Sequence, residues 1–192
     1  MRWVDREFAG VDFGDDAQVD EAPGAPDLNG LRTERVVFDG CDFSGVDLAE
    51  SDHRGSAFRN CRFHRTSLWH STFSNCSFMG SVFTECRLRP VSFDEIDFTL
   101  AVLGGADLRA VDLSGCRLRE TSLVEADLRK AVLRGADLSG ARTTGAKLGD
   151  ADLRGARIDA TLWTTASLRG AKIDIHQALA FAAAHGLNVH GE

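Results

Sequence analysis

The chain has 192 residues, is 43% hydrophobic and 27% charged, and carries a formal net charge of −7. That length suits one domain with a sizeable core, or one solenoid, and leaves little room for two independent domains. The charge disfavours attraction to nucleic acid or an anionic membrane and suits a basic partner. The longest uncharged apolar run, Ala178 to Ala184, is too short to cross a bilayer, and Met1 to Gly10 has no signal-like apolar stretch, so a soluble cytoplasmic protein is expected.

Phe8 and Phe13 open a register of five that breaks at Gln18 and Pro23 and resumes at Leu28. Between them, Gly14 to Asp27 (GDDAQVDEAPGAPD) is acidic, carries two prolines and has little apolar content, which predicts a loop bulging from the first coil. From Phe38 to Ile173 the register runs without a change of phase. Of its 28 positions, 25 are Leu, Phe or Ile, the exceptions being His53, Thr143 and Trp163. Two residues before each of these centres stands a small or β-branched side chain, such as Cys41, Val46, Ala106 or Ala151, with Ile96 the largest, which makes a second interior column.

A period of five fits neither the 3.6 of a helix nor the 2.0 of a strand. The backbone must turn a corner in every repeat, so four repeats close a square coil of 20 residues. Glycines two residues after the centre, such as Gly80 and Gly135, supply the positive φ that tight turns use. Successive coils then bond as parallel strands about 4.8 Å apart, so seven coils make a rod about 34 Å long. After Ile173 the period changes to a helical one, at Ile175, Ala178, Leu179 and Ala182, with Asp174 and Gln177 as a capping box and Gly186 as the stop. The expected division is therefore a β-helix over 1–173, with the loop at about 14–27, and a capping and dimerisation segment over 174–192. Ile175, Leu179, Phe181, Ala182, Leu187 and Val189 exceed what one short helix can bury on a coil, which points to homodimerisation through the C-termini.

The units Ala106-Asp107-Leu108, Ala126-Asp127-Leu128, Ala136-Asp137-Leu138 and Ala151-Asp152-Leu153 resemble the A(D/N)LXX repeat of the pentapeptide-repeat family. The resemblance implies an all-β fold, a right-handed quadrilateral β-helix, closed here by a short C-terminal α-helix; the handedness comes from the family and not from the spacing. WVDREF (3–8), FDGCDFSGVDLAES (38–51), HRGSAFRNC (53–61), LWHSTF (68–73), DFTLAVLGG (97–105), CRLRETSL (116–123) and FAAAHGL (181–187) extend the likeness to mycobacterial fluoroquinolone-resistance members, with the acidic loop as an insertion of about ten residues. Those members imply a homodimeric rod that imitates duplex DNA, binds DNA gyrase and shields it from quinolones. An adaptor of the same fold with a different protein partner is the alternative.

No chemistry competes with that implication. Cys41, Cys61, Cys76, Cys86 and Cys116 all fall in the small interior column, where a buried hydrophobe belongs. Cys41 and Cys61 stack in adjacent coils, but a cytosolic protein is not expected to bridge them. The six histidines form no metal-ligand pattern, and His53 reads as a core residue. Neither a nucleophile elbow nor a phosphate loop occurs, so no catalytic residue, metal or cofactor is expected, nor direct nucleic-acid binding. Trp69, Met79 and Leu100 stand outward, as partner contacts or as single exposed apolar residues.

Charge limits how far DNA mimicry can extend. A duplex carries about one negative charge per 1.7 Å, yet residues 38–173 hold 18 acidic and 18 basic side chains. Mimicry must be confined to a face or an end. Sorted by place in a 20-residue coil, the most acidic side is the one with centres at 53, 73, 93 and 113, where Asp12, Asp15, Asp52, Asp94, Glu95 and Asp112 form a stripe continued across a corner to Asp97.

Overall fold

The computed structural model describes residues 1–14 and 27–190. The chain winds as a right-handed square β-helix, the hand that parallel crossovers favour. Ten strands of three residues are β1 (Arg2–Val4), β2 (Glu7–Ala9), β3 (Arg32–Glu34), β4 (Val37–Asp39), β5 (Asp52–Arg54), β6 (Ala57–Arg59), β7 (Arg62–His64), β8 (Thr72–Ser74), β9 (Val82–Thr84) and β10 (Ser92–Asp94). All pair in parallel, in the orders β1-β3-β5-β8-β10, β2-β4-β6 and β7-β9. Later coils are held by single bridges at the same spacing, such as Asp107 with Asp127 and Asp152 with Lys172. There the carbonyl of the centre is spent on its own corner, as when Ala126 N–H donates to Leu123 O, and one residue per side is left for the ladder.

The four sides are named by their centres. Face I carries Trp3, Thr33, His53, Phe73 and Phe93; face II Phe8, Phe38, Phe58, Phe78 and Phe98; face III Phe13, Phe43, Phe63 and Phe83; face IV Leu28, Leu48, Leu68, Leu88 and Leu108. Rings of face II stack at 5.3, 4.7, 5.0 and 5.4 Å, and rings of face III at 4.7, 5.0 and 4.7 Å. Almost all of these centres are fully buried, as are the leucines that succeed them. The second interior column is polar where a carbonyl needs a donor. Thr66, Ser81 and Thr121 donate to the carbonyls of Phe43, Phe58 and Phe98, 23 residues earlier, and Cys61 and Cys76 do the same to Phe38 and His53. Such side chains are tolerated in a core because their donors are used.

His53 is the most polar of the buried centres. Its Nδ1 lies 2.7 Å from Thr33 Oγ1 and its Nε2 2.8 Å from Ser51 Oγ, and its ring stacks on Phe73 at 4.6 Å. Burial holds the imidazole down to a pKa of about 3, so it is neutral in the folded chain.

Ladder spacing locates the insertion. Arg2 pairs with Arg32, Glu7 with Val37 and Asp12 with Asp42, each 30 residues on, whereas Asp27 bridges Asp47 and Arg32 pairs with Asp52 at 20. Ten extra residues therefore lie between Asp12 and Asp27. The predicted loop itself, apart from its two ends, lies outside the described residues.

Three features depart from an unbroken coil. The corner residue is not always glycine: Lys130, at φ 61°, takes the left-handed conformation as readily as Gly135, at φ 66°, because the corner requires the angle and not the residue. Among the described residues the ladder is also open at one step, since Arg87 does not bridge Asp107 and Ser92 does not bridge Asp112, although every other step in both columns is bridged. Lastly, a helix that the register did not announce, α1 (Ala160–Thr165), takes the place of one side and buries Leu162 and Trp163 together. The 20-residue phase survives it, because Lys147 still bridges Ser167.

The second helix, α2 (Ile175–Ala184), forms where the change of period predicts it. Asp174 and Gln177 exchange both capping-box bonds at 3.0 Å. Gln177 Nε2 then donates to Leu153 O at 2.7 Å and Ala156 O at 2.9 Å, so α2 satisfies carbonyls of the last coil that no further coil reaches.

Candidate functional site

Each repeat places one side chain just before its centre and one just after it, both outward, so charges sort into straight columns one coil apart. An aspartate in the leading column has a structural task, because its carboxylate accepts the N–H two residues on. Asp12 does this for Gly14, Asp97 for Thr99 and Asp112 for Ser114. Asp94 and Glu95 carry no such bond; Asp94 accepts only the Ser74 hydroxyl, at 3.0 Å.

The described part of the stripe divides in two. Asp52, Asp94, Glu95 and Asp112 share face I, and Asp97 lies across the corner on face II, as the register requires. Asp12 does not join them. It bridges Asp42 on face III, the opposite side of the square, because an insertion of ten residues is half a coil and shifts everything before it by two sides. Asp15 lies outside the described residues.

Within face I the surroundings differ again. Asp52 is paired with Arg54 at 3.0 Å, and Asp97 has Arg117 at 3.7 Å. Asp94, Glu95 and Asp112 are exposed and form no ion pair among the described residues. These three carboxylates flank the open ladder step, beside a cleft of about 620 Å³ lined by Asn75, Asp94, Glu95, Ser114 and Arg117. Three charges on two adjacent coils, about 9.6 Å of rod, amount to about one per 3 Å, roughly half the linear density of duplex DNA, although the coils as a whole are neutral.

The C-terminal surface is also split. Ile175, Leu179, Leu187 and Val189 are exposed, with Ile175 at 76%. Phe181 turns inward, edge-on to Trp163 at 5.9 Å, and Ala182 is half-buried. Phe181 therefore closes the rod, and four of the six residues expected at a dimer contact remain outward.

The five cysteines are free, and burial pushes the thiols of Cys76 and Cys116 up to about 11. Among the described residues no group of three His, Cys, Asp or Glu side chains could hold a metal ion. No helix among the described residues is long and apolar enough to cross a membrane.

Known proteins resemble this chain in both sequence and fold. A family profile described as pentapeptide repeats matches in eight copies, over residues 41–80, 61–105, 76–115 and 106–150. The chain is 67% identical over 115 residues, 60% of its length, to the pentapeptide repeat protein MfpA of Mycobacterium tuberculosis. It is 70% identical over 69 residues, 36% of its length, to the protein of the same name from Mycolicibacterium smegmatis. The matched stretches span 57% and 31% of those relatives. Among solved structures, QnrB1, a plasmid-mediated fluoroquinolone resistance protein, aligns with a TM-score of 0.64 over 97% of this chain and all of its own, at 19% identity. HetL, a pentapeptide repeat protein involved in heterocyst differentiation regulation from Nostoc, aligns with a TM-score of 0.53 over 90% and 86%, also at 19% identity. At such identities the solved structures speak for the fold alone.

Proposed function

We propose, since the chain belongs to the pentapeptide-repeat family and matches MfpA over 60% of its length, that it is a DNA-mimicking protein that binds DNA gyrase, modulates its activity and protects it from fluoroquinolones. The observation that carries this reading is the patch of Asp94, Glu95 and Asp112 on one face, three exposed carboxylates without an ion-pair partner among the described residues. A rigid core holds the patch, so little entropy is lost when a basic surface docks on it. The 67% identity to MfpA over 115 residues supports the same assignment. In a supercoiling assay with purified gyrase, added protein should change the rate of supercoiling and reduce the cleaved complexes that a fluoroquinolone traps. Unchanged supercoiling and unchanged cleavage, with the protein in large excess, would overturn the proposal.

We place the second copy of a homodimer on the outward residues Ile175, Leu179, Leu187 and Val189. An apolar surface at the end of a solenoid favours association with its like. Sedimentation velocity should give a dimer for the parent chain and a monomer for Leu179→Glu; a parent that stays monomeric at micromolar concentration contradicts this placement.

A further inference from the structure

The overall charge of −7 conceals a basic side. On face IV, above Trp69, one column reads Arg89, Arg109, Arg129, Gly149 and Arg169, and its neighbour reads Arg87, Asp107, Asp127, Lys147 and Ser167. Six cations there oppose two carboxylates, a local net charge of +4. From Arg89 to Arg169 is four coils, about 19 Å.

The two carboxylates orient this strip and partly neutralise it: Asp107 also accepts from Nη1 of Arg89, at 2.9 and 2.8 Å. Asp107 accepts from Nε and Nη2 of Arg109 at 2.8 and 2.7 Å, and Asp127 accepts from Nε and Nη2 of Arg129 at 2.8 and 2.6 Å. Each guanidinium is thereby held by one edge, and its Nη1 edge remains available for a second acceptor. Lys147 and Arg169 have no ionic partner among the described residues and border a cleft of about 530 Å³ with Arg129 and Asp150.

A second observation falls on the same strip. At the open ladder step, among the described residues, the N–H groups of Leu88 and Asp107 on face IV, and of Asp112 on the adjoining face I, lack the bonds that Leu108, Asp127 and Val132 make one coil on, to Asp127 O, Ala106 O and Val111 O. The step is a cleft of about 870 Å³ bordered by Arg87, Arg89 and Arg109 and by the carboxylates of Glu85, Asp107 and Asp112. Free backbone donors beside guanidinium groups are the components of a phosphate-binding site. Below it, Trp69 adds an aromatic ring with the Arg87 guanidinium 4.8 Å over it.

We infer that face IV, from Arg87 to Arg169, binds the phosphate backbone of a nucleic-acid strand. A protein partner fits less well, because protein interfaces are built on apolar and aromatic anchors, and above Trp69 the outward positions of face IV carry no large apolar side chain. At one charge per 3.4 Å of strand, a strip of about 19 Å spans five or six phosphates. The inference does not rest on gyrase binding, which is assigned to face I, although Asp112 of that patch borders the same open step.

Fluorescence anisotropy tests it, with the full chain titrated into a labelled 20-nucleotide single strand and into a duplex of the same length. Saturable binding should appear at 50 mM salt and weaken steeply by 200 mM, with a log–log slope of about −3 to −4. Arg109→Ala with Arg129→Ala should weaken binding at least tenfold. Lys147→Ala with Arg169→Ala, which disturbs no carboxylate, should weaken it at least threefold, each variant being checked for fold by circular dichroism. No saturable binding to either probe, equal affinity in both variants, or equally tight binding of a polyglutamate competitor would overturn the inference.

Discussion

Between pH 7 and pH 4.5 the folded chain is expected to lose about 2.5 kcal/mol of stability through His53 alone. Its pKa of about 3 in the folded state lies far below the ordinary 6.5. The unfolded chain therefore takes up a proton near pH 6.5 while the folded chain does not, and each further pH unit of acid favours unfolding by about 1.4 kcal/mol. The stabilisation is whole above pH 6.5 and falls continuously toward pH 3. Carboxylates held low by arginines, such as Asp127 beside Arg129, act in the same direction, but only in stronger acid, below the usual carboxylate range. The interval from 6.5 to 4.5 thus belongs to His53, and urea unfolding across it isolates the effect. His53→Phe should flatten that limb whatever it does to absolute stability, since phenylalanine takes up no proton. A slope that persists in this variant would show that another group titrates there.

The interior was largely legible in the sequence and the ends of its columns were not. A register of five with large centres and small partners leaves one solution, because each inward position is defined by its neighbours one coil away. His53 illustrates how far this goes: its place in the core follows from the count alone, whereas its Thr33 and Ser51 partners emerge only once coils are stacked. Asp12 shows where counting fails. Its side depends on how many residues the coil before Asp27 contains, and ten extra residues turn the same register number to the opposite face. Helix α1 was hidden because Trp163 keeps the phase of a centre while the backbone around it winds differently. The open step between Arg87 and Asp107 has no signature in side-chain period, since the centres Leu88 and Leu108 on either side are both ordinary and buried. Sorting carboxylates alone also passes over the arginines at 89, 109, 129 and 169, although their spacing by multiples of 20 was visible throughout.

The carboxylates of the stripe differ in what they do for the fold, and that difference shapes the second large effect. Asp97 and Asp112 brace their own corners through the N–H groups of Thr99 and Ser114, so lysine there removes a local bond as well as a charge. Asparagine keeps the acceptor oxygen and removes only the charge. Asp94 and Glu95 brace nothing, and Lys130 already occupies an equivalent left-handed corner to that of Glu95, so reversal at both positions is sterically permitted. Four charges are altered in the combined variant Asp94→Lys, Glu95→Lys, Asp97→Asn and Asp112→Asn. Opposed like charges across a docked surface cost several kcal/mol, so affinity for gyrase should fall by at least about a hundredfold, or about 2.7 kcal/mol. The melting profile should stay close to that of the parent, because no buried group has changed.

The account rests on the acidic patch of face I, and surface plasmon resonance with immobilised gyrase tests it most directly. The parent chain should bind, with an affinity that weakens as salt rises from 50 to 200 mM, and the four-site variant should give no saturable signal over the same concentrations. A correctly folded variant that binds gyrase as tightly as the parent would contradict it.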